Sequence, residues 1–436
     1  SYVDTDVNNG QRYYYAVVSY DMGDPEFGTA GLQPSECTKI ISEDFAGTIK
    51  FVDINCAVGT PNAPVAGYKP PEIKGDLKSV AQGLGTGDMN VAILNPQKVF
   101  DNAVYSIVFN SDNVYPRYKT LSYEIVRDYQ GVRDTVLRNI DTSFIGLTKF
   151  SPPFDGITIN VINDTSINIV DSLTGWLVGE SNLMMSVAAD LTSRGMLWPS
   201  DYEIRFFDTP QDTSFISSPP YYSKFPVNLK IWNNTEGRST KVAVRDNDQS
   251  QSLTFGDLIQ ILEFTGTPPT LGNSRVVWNI TYDPPFNPNT TPVEPVNGDK
   301  FLITSTKPFK TGDYFTFSTK QVSVNNELAK DELSQINVVP NPYLGAASWE
   351  RRNLNSTGRG ERKIDFINLP AKCTIRIYTV AGALIKTLNK DSAFSDGSIS
   401  WNLVTEDGMD AAYGLYIYHV NAPEIGEHIG KFALIK

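Results

Sequence analysis

Two aspartates with one residue between them, Asp246 and Asp248 in RDNDQSQS (Arg245–Ser252), come nearest to site chemistry in this sequence. With Asn247 they put hard oxygen ligands in one turn, the donor type that Ca2+ takes. The Gly and the distal Glu of an EF-hand loop are missing, so a solvated turn is the preferred reading, and Ca2+ is the one cofactor suggested. Nucleophilic catalysis of the triad kind needs a histidine. The chain has two, His419 and His428, both in one predicted hairpin near the C-terminus. Its 49 acidic residues allow carboxylate pairs of the glycosidase kind, but sequence alone cannot pair them. QGLGTGD (Gln82–Asp88) is Gly-rich with no Lys-Ser/Thr after it, which reads as a flexible turn rather than a phosphate loop. No catalytic residue is assigned and the chain is read as non-enzymatic. A secreted peptidase or glycosidase with its catalytic domain upstream is the main rival.

The elements that would position any site are strands. The 436 residues include 21 Tyr and 22 Phe, with Asn, Thr, Ser and Asp between apolar runs, the balance of a β-rich protein. This length predicts several domains. The net charge of −12, with no basic stripe, excludes a nucleic-acid partner. No apolar run approaches a membrane span. Cys37 and Cys56 could pair across a short loop, leaving Cys373, or all three could be small buried hydrophobes.

From 91 to 325 the period of two dominates, predicting one β-sandwich domain or two. Hairpins are expected around Gln130-Gly131, Asn163-Asp164 (joining Ile157–Val161 to Ile167–Ile169) and Asn234–Gly237. Ser181–Gly195 is the best helical pattern and FGDLIQILEF a weaker one. A carbohydrate-binding role for this region would need exposed, coplanar rings among Trp176, Trp198, Tyr221, Tyr222 and Trp232. Residues 47–90, with Pro61, Pro64, Pro70 and Pro71, read as a Pro/Gly-rich linker. Residues 326–335 are a polar spacer.

Ahead of the linker, Asn8-Asn9-Gly10 signals a turn, and a Tyr-rich strand with two apolar faces follows. A two-stranded piece cannot bury both faces alone. VNNGQRYYYAVVSYDMGD with PSECTKI (Pro34–Ile40) resembles the last strands of a fibronectin type III module, assigned to residues 1–46. The resemblance implies a fragment, with the rest of the module and a signal peptide upstream.

The strongest pattern lies in residues 336–436. Pro340-Asn341-Pro342 cannot be helical, and the missing N–H groups exclude a central strand. About seven strands follow, with hairpin turns at Gly382 and Gly408. The order resembles the C-terminal sorting domain of type IX secretion substrates and the related immunoglobulin-like domain of flagellar hook-capping proteins. The motif falls on Pro340, Asn341, Pro342, Ile375, Ile377, Tyr378, Gly382, Ile385, Leu388, Trp401, Asp407, Gly408, Gly414, Tyr416, Tyr418, Gly430, Lys431 and Lys436. Asn402 departs from it, standing where the family usually has Asp. With the period-two pattern of the middle region, the expected fold is an all-β chain of tandem sandwiches with an immunoglobulin-like C-terminal one; the resemblance implies export to the cell surface or medium. Its implied partners are the type IX secretion machinery and other surface proteins or polysaccharide. The implied role is structural, adhesive or scaffolding.

Overall fold

The computed structural model describes residues 4, 6–7, 12–27, 31–43, 49–75, 77, 80–81, 83–112, 114, 116–215, 224–344 and 363–435. The Asn8-Asn9-Gly10 turn, Tyr221, Tyr222 and Lys436 lie outside these. The chain is all-β, with one short α-helix, Asn326–Glu332, among the described residues. It divides into two compact units, residues 1–70 with 322–436, and residues 71–321.

The unit 71–321 holds two large apolar cores. The first lies against a five-stranded sheet ordered Val132–Asp141, Thr120–Tyr129, Val104–Ser111, Tyr314–Lys320, Glu72–Lys74. The alternate residues Tyr105, Ile107 and Phe109 point into it, as period-two patterning requires. Gln130 and Gly131 both take positive φ, 52° and 77°, which makes the expected two-residue hairpin turn. Ile157–Ile162 pairs with Asp88–Ile93 instead of forming a hairpin with Ile167–Ile169; Ile169 makes a lone bridge to Ser305.

The second core lies on an eight-stranded sheet ordered Gly175–Val178, Lys300–Ile303, Tyr202–Phe206, Leu229–Asn233, Arg238–Arg245, Asp257–Phe264, Ser274–Tyr282, Val187–Ala189. Leu229–Asn233 and Arg238–Arg245 form the hairpin expected around 234–237. Both predicted helices are corrected. FGDLIQILEF contains the strand Asp257–Phe264, covered on both faces, because Ala243, Leu262 and Val276 form a small cluster with Phe215 and Phe264 apart from the main core. A strand buried on both sides loses its alternation and mimics a helix. Ser181–Gly195 supplies the edge strand Val187–Ala189.

In the other unit, the expected linker is structured. It carries strands Ile49–Val52, Cys56–Gly59, Tyr68–Lys69 and Glu72–Lys74, the last within the 71–321 unit. Its prolines keep it extended, and its backbone docks on the terminal sandwich: Val65 N donates to Phe394 O, Ala66 N to Leu369 O and Gly397 N to Ala63 O, at 3.0, 3.1 and 2.8 Å. Tyr13–Ala16 pairs with Cys56–Gly59, Tyr20–Asp21 with Ser35–Glu36, and Ile41–Glu43 with Ile49–Val52. None of the described residues before Val65 is buried; Val17, Tyr20 and Ile54 are 80 %, 76 % and 104 % exposed. The three thiols are free, and only that of Cys373 is buried.

Candidate functional site

The terminal sandwich brings the 336–436 motif together. One sheet orders Asn337–Val339, Ile364–Ile367, Ile399–Trp401; the other orders Tyr343–Leu344, Gly426–Ile435, Gly414–Ala422, Lys372–Thr379, Leu384–Asp391. Among the described residues seven strands follow Pro340-Asn341-Pro342 and Asn337–Val339 precedes it. Asn337–Val339 pairs antiparallel in the first sheet, whereas Tyr343–Leu344 pairs parallel with the final strand in the second. Pro340-Asn341-Pro342 is the crossing between sheets.

Prolines bring no N–H to a ladder. Asn341 supplies what they lack. Its Nδ2 donates to Lys431 O and its Oδ1 accepts from Ala433 N, both at 3.2 Å. One side-chain amide thus does the work of a backbone amide and seats the crossing on the last strand. Tyr343, fully buried, follows at once.

The remaining motif residues divide by the reason each is needed. Gly382 and Gly408 take φ of 85° and 76°, with open space where a Cβ would stand, so the turn conformation demands them. Gly414 opens the Tyr strand. Trp401, Tyr416, Tyr418 and Phe432 make one aromatic cluster; Trp401 Nε1 donates to Val404 O at 2.9 Å, and the Tyr416 and Tyr418 hydroxyls donate to Ala412 O and Ile336 O at 2.7 and 3.0 Å. Every polar tip finds a partner, so the rings are buried without an orphan group. Asn402 accepts from Val404 N at 3.3 Å, the kind of bond an Asp would make there. Glu406 accepts from Thr387 N at 2.9 Å while its own N–H donates to Ile385 O at 3.0 Å, so the acidic turn covers the edge strand Leu384–Asp391. The Thr387 N–H, then Lys386, holds the Glu406 carboxyl below its usual range. Tyr378 is half-buried opposite Ile417 and Leu384, and Lys431 is exposed.

Gly430 is required for a different reason. A Cβ there would lie 2.3 Å from Cζ and Oη of Tyr418, which packs across the strand over it. Gly430→Ala must therefore displace a buried ring, at a cost of about 1–3 kcal/mol. Denaturation of the variant should show that loss. Adding Tyr418→Leu, which vacates the space, should make the alanine nearly neutral relative to Tyr418→Leu alone. A Gly430→Ala protein as stable as the parent would refute the steric account.

Asp246 and Asp248 meet a partner the sequence reading missed. Asp257 joins them, with one carboxylate oxygen of each within 4.8 Å of the others. Asp246 and Asp257 are buried and Asp248 is exposed. This is a hard-oxygen set of the kind Ca2+ takes. The same carboxylates also tie the loop to itself. Asp246 accepts from Ser250 N and Gln251 N, Asp257 from Asn247 N and Thr254 N, and Asp248 from Ser250 N, all at 2.8–3.0 Å. Asp257 lay unrecognised because it sits at the head of an apolar strand, with no local signature of ligation.

Bonds from Ser250, then Thr254, lower the Asp248 pKa to about 2. A lowered folded-state pKa means a stabilising contribution complete above the ordinary Asp value, lost as pH falls through the folded value. The bonds of Asp248 to Ser250 and Thr254 should persist at pH 4 and weaken as pH approaches 2. Exchange rates of the Ser250 amide, corrected for intrinsic pH dependence, report this, and Asp248→Asn should abolish the pH step.

In the Gly-rich QGLGTGD segment the described residues 83–88 are tied down by hydrogen bonds, and Gln82 lies outside the described residues. Leu84 N and Gly85 N both donate to the fully buried Asp313 carboxylate at 3.0 Å, and Lys310 N adds a third bond at the same distance. Cβ atoms at Gly83 and Gly85 would strike that carboxylate. The amides cradle an anion, as such loops do, but the anion belongs to the chain.

The rings singled out for carbohydrate do not form an exposed platform among the described residues. Trp198 is fully buried, Trp176 packs against the core with its Nε1 on Leu183 O, and the face of Trp232 is covered by Arg205 at 4.7 Å. His419 pairs with Glu427 at 3.2 Å, and His428 lies 3.5 Å from the Tyr418 hydroxyl.

No family model matches the chain, and no curated protein matches it. Solved structures similar to it at low scores include the following three. PorZ, an essential bacterial surface component of the type-IX secretion system of Porphyromonas gingivalis, aligns at 11 % identity and TM-score 0.21 over 72 % of this chain. Dimeric latent PorU of Porphyromonas gingivalis aligns at 12 % identity and TM-score 0.16 over 89 % of the chain. A tetra-tandem repeat from the extending region of a large adhesion protein aligns at 11 % identity and TM-score 0.13, covering 80 % of this chain and 99 % of the repeat. The chain spans 56 % of PorZ and 35 % of PorU.

Proposed function

We propose that this chain is part of a secreted or cell-surface bacterial protein with a structural, adhesive or scaffold role, whose residues 336–436 act as the sorting domain read by type IX secretion. The single observation that carries the reading is the crossing at Pro340-Asn341-Pro342. The opening of the motif is bonded to its closing strand through Asn341, so the two ends of the sequence pattern are one structural feature. The described residues act by folding and contact rather than by catalysis. Their deeply buried charges hold structure: Glu263 bonds Arg238, Tyr202 and Asn233, Lys307 bonds Asp201, and Asp313 bonds the glycine loop. Among the described residues no helix is long and apolar enough to cross a membrane. In this reading residues 1–46 are part of a fibronectin type III-like module.

The test places the chain behind a secretory signal peptide in a bacterium with type IX secretion. The full chain should reach the cell surface or medium, and a chain lacking 336–436 should stay in the periplasm. Equal export of both, or export by a strain without the type IX machinery, would sink the reading.

A further inference from the structure

A cleft of about 660 Å³ opens at one end of the five-stranded sheet in the 71–321 unit. It is bounded by the Pro96–Lys98 turn, the hairpin end at Tyr129 and the end of the strand Tyr314–Lys320. No motif in the sequence pointed to it. Its lining combines two rings, Phe100 and Tyr129, with the polar side chains of Gln97, Lys98, Asp101 and Gln321.

The wall is rigid. Arg127 lies over the Phe100 ring at 4.8 Å, and Tyr129 meets that ring edge-on at 4.8 Å between centroids. Arg127 is itself fixed: Nε and Nη2 donate to Asp134 at 3.2 and 2.9 Å, and Nη1 donates to Asp155 at 2.9 Å. Asp155 also faces the cleft and accepts from the Tyr105 hydroxyl at 2.9 Å. Asp101 accepts from Gln321 N and from Asn102 Nδ2 at 3.2 and 2.9 Å. Little conformational freedom is left in these groups for a ligand to remove, which favours binding. The Gln321 carboxamide and the Lys98 ammonium, both exposed, make no hydrogen bond to other described residues. They are free to meet a ligand.

The chemistry narrows the ligand class. The charges at and just behind the cleft are Lys98 and Arg127 against Asp101, Asp134 and Asp155, which disfavours phosphate, sulfate or a uronate. Mostly polar side chains disfavour an apolar ligand, whose burial would strand them unpaired. The Tyr129 ring beside amide and carboxylate groups suits a molecule with apolar C–H faces and many hydroxyls, each able to donate and accept; Phe100, one face of which Arg127 covers, backs that ring rather than forming the platform. The volume falls within the range of small-molecule clefts. The geometry points to a binding site for a neutral oligosaccharide, built by Phe100, Tyr129, Asp101, Gln97 and Gln321. The site does not depend on the export reading.

The full chain is titrated with cellotriose, chitotriose and mannotriose, with trigalacturonate as the charged control, by calorimetry and ligand-observed NMR. At least one neutral trisaccharide should bind, more tightly than trigalacturonate. Tyr129→Ala and Gln321→Ala, each with an unchanged unfolding midpoint, should weaken that binding by about tenfold or more, the loss of roughly one good contact. If one variant is destabilised, the other carries the test. Three outcomes overturn the proposal: no binding of any neutral trisaccharide at about 10 mM, a range that already covers very weak sites; tighter binding of trigalacturonate; or binding indifferent to both substitutions.

Discussion

Trp401→Ala should abolish cooperative unfolding of the terminal sandwich at temperatures where the parent chain is folded. Trp401 is 1 % exposed and meets Tyr416 and Phe432 at 6.3 and 6.1 Å between ring centroids, at 72° and 76°. Truncation empties the centre of the cluster and leaves Val404 O without its bond. Large aromatic deletions in cores cost about 3–5 kcal/mol, much of the stability of a domain this size. Trp401→Phe keeps most of the apolar volume and should lose far less. Denaturant unfolding followed by tyrosine fluorescence and near-ultraviolet dichroism separates the two. A Trp401→Ala chain with an undiminished transition would show that the cluster does not hold the sandwich. If export depends on the folded unit, Trp401→Ala should also leave the chain in the periplasm while Trp401→Phe passes.

The second large effect belongs to Glu263, fully buried in the eight-stranded sheet. Its carboxylate accepts from Arg238 Nη2 at 2.6 Å, Asn233 Nδ2 at 2.9 Å and the Tyr202 hydroxyl at 3.2 Å. Burial, then the Glu263 charge, pushes the Tyr202 hydroxyl well above the usual tyrosine range, so it stays a donor. Glu263→Ala leaves the buried Asn233 and Tyr202 donors unpaired, and a loss of about 3–5 kcal/mol is expected. Arg238 is 41 % exposed and can turn to water, so Arg238→Ala acts in the other direction, leaving the carboxylate buried without its cation. The two substitutions share one interaction. The double variant should therefore be less destabilised than the two single losses added together. Strict additivity would mean that the pair is not coupled.

What could be read from the sequence followed local physics. Gln130-Gly131, Gly382 and Gly408 announced their turns because the positive φ they adopt is a property of one residue. Tyr416, Tyr418 and Val420 are buried at alternate positions of one strand, as period two requires of a strand that covers a core on one side. Alternation failed where a strand is buried on both faces, as at Asp257–Phe264. Proline content marks 61–71 as linker, but cannot say whether such a segment is free or docked. The candidate sites were least legible because they join distant residues. Asp257 meets Asp246 and Asp248 through pairing of adjacent strands, Asn341 meets Lys431 and Ala433 across ninety residues or more, and the cleft joins Gln97 to Gln321.

The parallel pairing of Tyr343–Leu344 with the closing strand has a mechanical consequence. When tension is applied between the upstream chain and the C-terminus, the two segments are drawn past one another along their length. Their bonds, with the two made by Asn341, must then rupture together instead of peeling apart in succession. Resistance to such a pull is set by the unfolding barrier rather than by equilibrium stability. A terminal unit tethered at its end would therefore withstand drag better than its modest size suggests, and the Asn341 amide is the clasp.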